Sequence, residues 1–201
     1  MTHTRARLVV LLLASLIGMN GLRAQTQALQ GGTLDPWYSR QPKPKNIDAP
    51  KVFTNAFSIE LPKGWQLAAG RTNTVFSVVE KTRQWESAGL VTLEYMRLQA
   101  PLDPSVVAAA SERELNEIKS RELSGKNFSA TVKIGPLGPI VFIQYDRPGL
   151  TGSDDRVVQY SIPVGTTMYR LVCIAPAAKM ESYRPLFAHV AASFTPLKTT
   201  S

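Results

Sequence analysis

Apolar and polar residues alternate in several short stretches of this chain, and each alternation predicts a half-buried strand. Phe57-Ser58-Ile59-Glu60-Leu61 is the first, closed by a Pro62-Lys63-Gly64 turn ahead of Trp65. Val75 to Glu80 predicts a second strand. Leu90 to Leu98 predicts a third, with Val91, Leu93 and Tyr95 on one face and Leu90, Met96 and Leu98 on the other. Phe128 to Ile134 and Ile140 to Tyr145 flank Gly135-Pro136-Leu137-Gly138-Pro139, and Val157 to Ile162 and Thr167 to Ile174 flank Pro163-Val164-Gly165-Thr166. Connections this short favour antiparallel hairpins. Leu171 and Cys173 alternate with Val172 and Ile174, so the last strand is apolar on both sides and predicts a sheet covered on both. Pro148 to Asp155 reads as a polar loop.

Two stretches change to a period of three and four. In the first, Asp103 suits an N-cap and Pro104 the first helical position. Val107, Ser111, Leu115 and Ile118 make a narrow apolar stripe, opposite Arg113, Glu117 and Arg121, and Gly125 stops the helix near Ser124. In the second, Met180, Tyr183, Phe187, Val190, Ala191 and Phe194 share one face. Pro185 inside that pattern predicts a kink or a fresh helical start. The order βββαββββα predicts an α+β fold: an antiparallel sheet of about seven strands flanked by helices on both faces. Its body spans residues 53–196, with 197–201 as a C-terminal tail, and no internal repeat or second domain is visible.

The N-terminus follows other rules. Arg5 and Arg7 precede an apolar run from Leu8 to Ile17, and Leu22-Arg23-Ala24 precedes Gln25. This is the layout of a secretory signal peptide over residues 1–24, cut between Ala24 and Gln25. The run falls short of the roughly 20 residues a membrane span needs, and no later run approaches that length. No cysteine stands at the cut to carry a lipid anchor, and Ala6 separates the arginines, so a twin-arginine signal is absent. A periplasmic or secreted product is expected, with an uncleaved, tethered form as the alternative. Residues 25–52 read as a flexible tail, because Pro36, Pro42, Pro44 and Pro50 favour extended backbone. Trp37, Tyr38, Lys43 and Lys45 make that tail a candidate docking arm.

Charge narrows the partners. The chain carries a formal +8, and loss of Arg5, Arg7 and Arg23 with the signal lowers this by three. A mildly basic product favours an anionic surface or an acidic envelope protein. No dense basic stripe or known motif points to nucleic acid.

Candidate chemistry is sparse. Cys173 is the only cysteine, so no internal disulfide forms, and its place in an apolar strand predicts buried packing rather than a nucleophile. His189 is the only histidine after the signal, and it falls off the apolar helical face, which predicts an exposed surface residue. One histidine without a Gly-x-Ser-x-Gly elbow offers no serine-hydrolase constellation. Zinc needs clustered ligands that are lacking, and Asp146, Asp154 and Asp155 read as turn-forming carboxylates without calcium-loop spacing. No cofactor and no catalytic residue is therefore expected. Trp65 is expected to seal one end of the sheet, at a cost of about 3–5 kcal/mol for Trp65→Ala. Phe187 and Phe194 are expected in the core.

Phe57 through Trp65 resembles the opening strand and turn of the PsbP-like proteins. Tyr169-Arg170-Leu171-Val172, Tyr183-Arg184-Pro185-Leu186-Phe187 and Ser193-Phe194 resemble that family's closing strand and helix. The resemblance covers residues 53–194 and rests on short structural motifs. It implies an antiparallel sheet sandwiched between helices, and binding or assembly roles without a shared catalytic site. The leading expectation is an exported, non-catalytic protein-interaction or assembly module of the cell envelope. The rival is a carrier that holds a lipid or other small apolar ligand between sheet and helix, and a third reading is an uncharacterised hydrolase.

Overall fold

The hairpins predicted from the alternating stretches form and extend. In a computed structural model of the 201-residue chain, described for residues 44–53, 56–68, 73–81, 88–150 and 152–197, the elements run in this order. Strands β1 (Lys51–Phe53), β2 (Phe57–Ile59), β3 (Gln66–Ala68), β4 (Thr74–Val79) and β5 (Leu90–Arg97) precede helix α1 (Val107–Arg121). Strands β6 (Lys126–Gly135), β7 (Gly138–Pro148), β8 (Asp154–Val164) and β9 (Thr167–Pro176) precede helix α2 (Met180–Ala192) and a short β10 (Thr195–Pro196). Ala24, Gln25, Trp37, Tyr38, Lys43 and Trp85 lie outside the described residues.

Seven strands form one antiparallel sheet in the order β3-β4-β5-β9-β8-β7-β6. The membership differs from the sequence expectation, although the number agrees. The Phe57 strand leaves the main sheet and joins a second one, ordered β1-β2-β10, while β3 supplies the seventh strand. The partners β1 and β10, of three and two residues, are too short to show a period, and Thr195 pairs with Ser58 from the far end of the chain. The stretch 46–52, the end of the expected tail, pairs with the body. Asp48 N–H donates to Leu61 C=O and Lys63 N–H to Asn46 C=O (2.9 and 3.0 Å), and Lys51 lies opposite Ile59.

Local chemistry explains the turns and helix ends. Gly138 and Gly165 hold φ of 111° and 57° in the two hairpin turns, where a Cβ would be strained. The polar loop shrinks to residues 149–153, because Asp154 and Asp155 open β8 rather than turning the chain. Asp103 accepts a hydrogen bond from Ser105 N–H (2.8 Å), starting a 3-10 turn at Pro104–Val106 that leads into α1. The helix stops at Arg121, three residues before the predicted end, with Gly125 N–H donating to Glu122 C=O in the turn that follows. Pro185 does not start a new helix: α2 runs through it. A 3-10 turn at Ala177–Lys179 puts the helix start upstream, so the proline falls in the second turn. The bond it forfeits is to the carbonyl of exposed Glu181, which water can serve.

Alternation then divides the core between two faces. Phe76, Val78, Val91, Leu93, Phe142, Val158, Tyr160, Leu171 and Cys173 point toward α2 and the small sheet. Val141, Ile143, Tyr145 and Val157 point toward α1 with Val107 and Ile118. The chain crosses from β5 to the opposite edge through α1, then meanders back until β9 pairs with β5. That pairing sets Val91 opposite Cys173 and Leu93 opposite Leu171, all fully buried. No helix among the described residues is long and apolar enough to cross a membrane.

Candidate functional site

Trp65 stands where the Pro62-Lys63-Gly64 turn delivers the chain from the small sheet to edge strand β3. Its half-buried ring meets Tyr183 and Phe187 of α2 edge-on, each at 6.4 Å between centroids. Tyr183 in turn stacks on Phe187 at 5.5 Å. The rings close over Gly89, where a Cβ would come within 2.6 Å of the Trp65 ring and 2.7 Å of Tyr183. Only glycine allows that approach. Glu80 braces the group: its Oε2 accepts from Tyr183 O–H and from Gly89 N–H (3.3 Å), and its own N–H donates to Gly89 C=O (2.9 Å). Burial and the Glu80 carboxylate hold the Tyr183 phenol up to about 12, so Tyr183 stays a neutral donor.

Two open clefts meet at Pro62 and Trp65. One, of about 350 Å³, is walled by Phe53, Leu61, Leu67 and Val78, with Lys51 at its margin. Leu67 is 74% exposed on β3. The other, of about 430 Å³, is walled by Trp65, Tyr183 and Leu186 and rimmed by Lys63, Lys81 and Lys179, with Asn46, Glu80 and Ser182 beside them. The three lysines are exposed, and among the described residues no ion pair engages them. Lys51 differs, being 3.6 Å from Asp48.

The other residues singled out from sequence do not gather here. Cys173 is fully buried, and burial raises its thiol well above the ordinary range, which keeps it protonated and unreactive. His189 is not free on the surface as its helical position suggested. Its side chain is 20% exposed, and Nε2 lies 2.6 Å from Glu60 Oε2. The small sheet brings the end of β2 alongside α2, where Glu60 N–H also donates to Ser193 Oγ (2.9 Å). Asp146 is buried, accepting from Arg156 Nε and Nη2 (2.7 and 3.0 Å) and Asn127 Nδ2 (2.7 Å), and the arginine holds its carboxyl below the usual range. Asp154 pairs with Lys126 at 2.7 Å. These acids are neutralised by basic partners, which opposes cation binding. Phe187 is fully buried, and Phe194 packs 4.9 Å from both Phe57 and Tyr169. Lys45 is exposed at a bend.

One polar group escaped the sequence reading. Glu114 lies inside the stripe on α1 that buries Val107, Ser111 and Ile118, and is 7% exposed. Its Oε1 accepts from Gln159 Nε2 (2.8 Å) and Ser161 Oγ (3.0 Å), and Arg170 Nε lies 2.7 Å away as an ion pair without hydrogen-bond alignment. Gln159, Ser161 and Arg170 recur at alternate positions on neighbouring strands, a pattern that becomes legible once β8 and β9 are paired.

No protein-family description matches this sequence, and no curated protein matches it. Solved structures do. The solution structure of cyanobacterial PsbP (CyanoP) from Synechocystis is similar with a TM-score of 0.55 at 8% identity, over 75% of this chain and 92% of that one. A Bacteroides thetaiotaomicron crystal structure gives 0.49 at 17% identity over 72% of this chain, which spans only 46% of that protein's length. LpqN of Mycobacterium tuberculosis, described as involved in cell envelope biogenesis, gives 0.47 at 11% identity over 77% of this chain and 87% of that one. The likeness to CyanoP, at this level of identity, establishes a PsbP-like fold and nothing finer.

Proposed function

We propose that this chain is an exported, non-catalytic binding module of the cell envelope whose working surface is the Trp65 corner. The observation that carries the reading is a large exposed leucine, Leu67, on an edge strand beside two open clefts. A concave surface lined by apolar side chains with a few polar groups at its rim is the default binding place of a fold. The reactive groups support the same reading, since the thiol is sealed in the core and the imidazole is tied to Glu60. The carrier alternative fits less well in its original location. The space between α2 and the sheet is filled by Phe57, Tyr160, Phe187 and Phe194, so a ligand there would have to displace them. Export by the signal at residues 1–24, and a docking contribution from Trp37, Tyr38, Lys43 and Lys45, belong to the proposal.

Capture from envelope extracts by the immobilised protein tests it. Leu67→Asp is expected to lose the captured component, whereas Leu123→Asp, at a still more exposed leucine in the turn after α1, is expected to keep it. Equal capture by both variants contradicts the reading. Substituting Trp37 and Tyr38 by serine measures the arm separately.

A further inference from the structure

The two clefts differ in chemistry but share a wall. Pro62 and Trp65 line both. On one side lie the exposed ammonium groups of Lys63, Lys81 and Lys179. Lys179 and Ser182 also mark the first turn of α2, whose amide end favours negative charge. Among the described residues lining this cleft the one carboxylate is Glu80, its Oε2 turned to the wall by Tyr183 O–H and Gly89 N–H, while Glu181 in the first turn of α2 is paired with Arg184. On the other side lie Phe53, Leu61, Leu67 and Val78. A ligand that is only anionic leaves the apolar cleft unused, and one that is only apolar leaves the lysines unpaired. Each cleft is within the range of about 300–1,000 Å³ typical of small-molecule sites.

We infer that the Trp65 corner binds an anionic amphiphile, a lipid-like molecule with its charged head among Lys63, Lys81 and Lys179 and its apolar chain laid across Trp65 onto Phe53, Leu67 and Val78. This rests on the proposed role of the corner and names the ligand class for it. Charge complementarity selects the sign of the head, and the shared tryptophan wall requires head and chain in one molecule.

Calorimetric titration of the purified protein with lauroyl lysophosphatidylglycerol, below its micelle concentration, tests the inference. Glycerol phosphate supplies the head alone, and lauroyl lysophosphatidylcholine supplies the same chain on a zwitterionic head. Saturable binding of the anionic lysolipid is expected, weakened about tenfold or more by Leu67→Asp, by Lys63→Glu with Lys179→Glu, and by the choline head. Arg113→Glu with Lys119→Glu, on exposed positions of α1, is expected to leave it unchanged and controls for net charge. All these positions are exposed, and circular dichroism confirms that each variant folds. Glycerol phosphate binding as tightly as the lysolipid, equal loss in the control pair, or no lysolipid binding at all overturns the inference. If the lysolipid fails to bind while Leu67→Asp still loses its envelope component, the amphiphile falls and the corner stands. If both experiments are indifferent to the corner, both fall.

Discussion

The sheet face under α2 and the face under α1 are closed by different means. The first is sealed by rings: Phe57 on Phe194, Phe53 stacked on Phe76 at 4.6 Å, Tyr183 on Phe187. It takes both a helix and the three-stranded sheet to cover it, and the Trp65 clefts lie at its β3–β4 end. The second is covered by α1 on β6 and β7, and toward β8 and β9 it buries a carboxylate, an amide, a hydroxyl and a guanidinium together. Apolar burial is strong but indifferent to small changes of register. A buried carboxylate accepts one arrangement of donors and penalises others. The contrast assigns most of the stability to the α2 face and the seating of α1 to the Glu114 cluster.

The largest effect is expected from the ring face. Phe187→Ala should cost about 3–5 kcal/mol in denaturant unfolding, since the ring is fully buried and packs against Trp65 and Tyr183. Glu114→Ala should cost about 3 kcal/mol, at the lower end for a broken buried pair because Arg170 retains some access to water. Glu114→Gln, which keeps an acceptor and drops the charge, should cost clearly less, and equal losses would erase the distinction between the faces. Gly89→Ala should cost about 1–3 kcal/mol by forcing Trp65 and Tyr183 apart, and should also weaken binding at the corner.

The smallest effect is a pH slope from Lys133, which reaches across the α2 face to put Nζ 3.5 Å from the Phe142 ring centre. Burial, with a smaller contribution from the Arg184 charge, lowers this ammonium from 10.5 to about 8, although the ring face favours its charged form. The unfolded chain therefore holds the proton to higher pH than the folded one. Stability gains from this group as pH rises from about 8 toward 10.5. Melting temperatures between pH 8 and 10 should show a rise in the wild type that Lys133→Met lacks. Above pH 10 Tyr183 acts in the opposite sense. Its proton is held to about 12 when folded, so stability is lost as the unfolded phenol ionises.

The legible parts of this fold are those written in local periodicity. The four long strands β6 to β9 and both helices follow from runs of alternating or three-and-four spaced residues, and their hairpins from glycine turns. The small sheet was hidden because β1 and β10, the partners of the legible β2, have three and two residues, and β10 pairs with it from the far end of the chain. Glu114 was hidden because a carboxylate in a narrow apolar stripe looks like the edge of the exposed face until Gln159, Ser161 and Arg170 arrive beneath it. His189 was misplaced for the same reason, its partner Glu60 being 129 residues away. For the corner, Trp65 was visible as a residue that would seal the sheet. The two clefts beside it arise from tertiary juxtaposition of residues 46–53, the Lys63 turn, Lys81 and the first turn of α2.

Amide chemical-shift mapping during titration with lauroyl lysophosphatidylglycerol tests the central claim most directly. Saturable shifts concentrated at Gly64, Trp65, Leu67, Ser182 and Tyr183, with α1 and β6 unmoved, are the expected result. Shifts spread over α1 and the β6 edge, or none at the Trp65 corner, would contradict it.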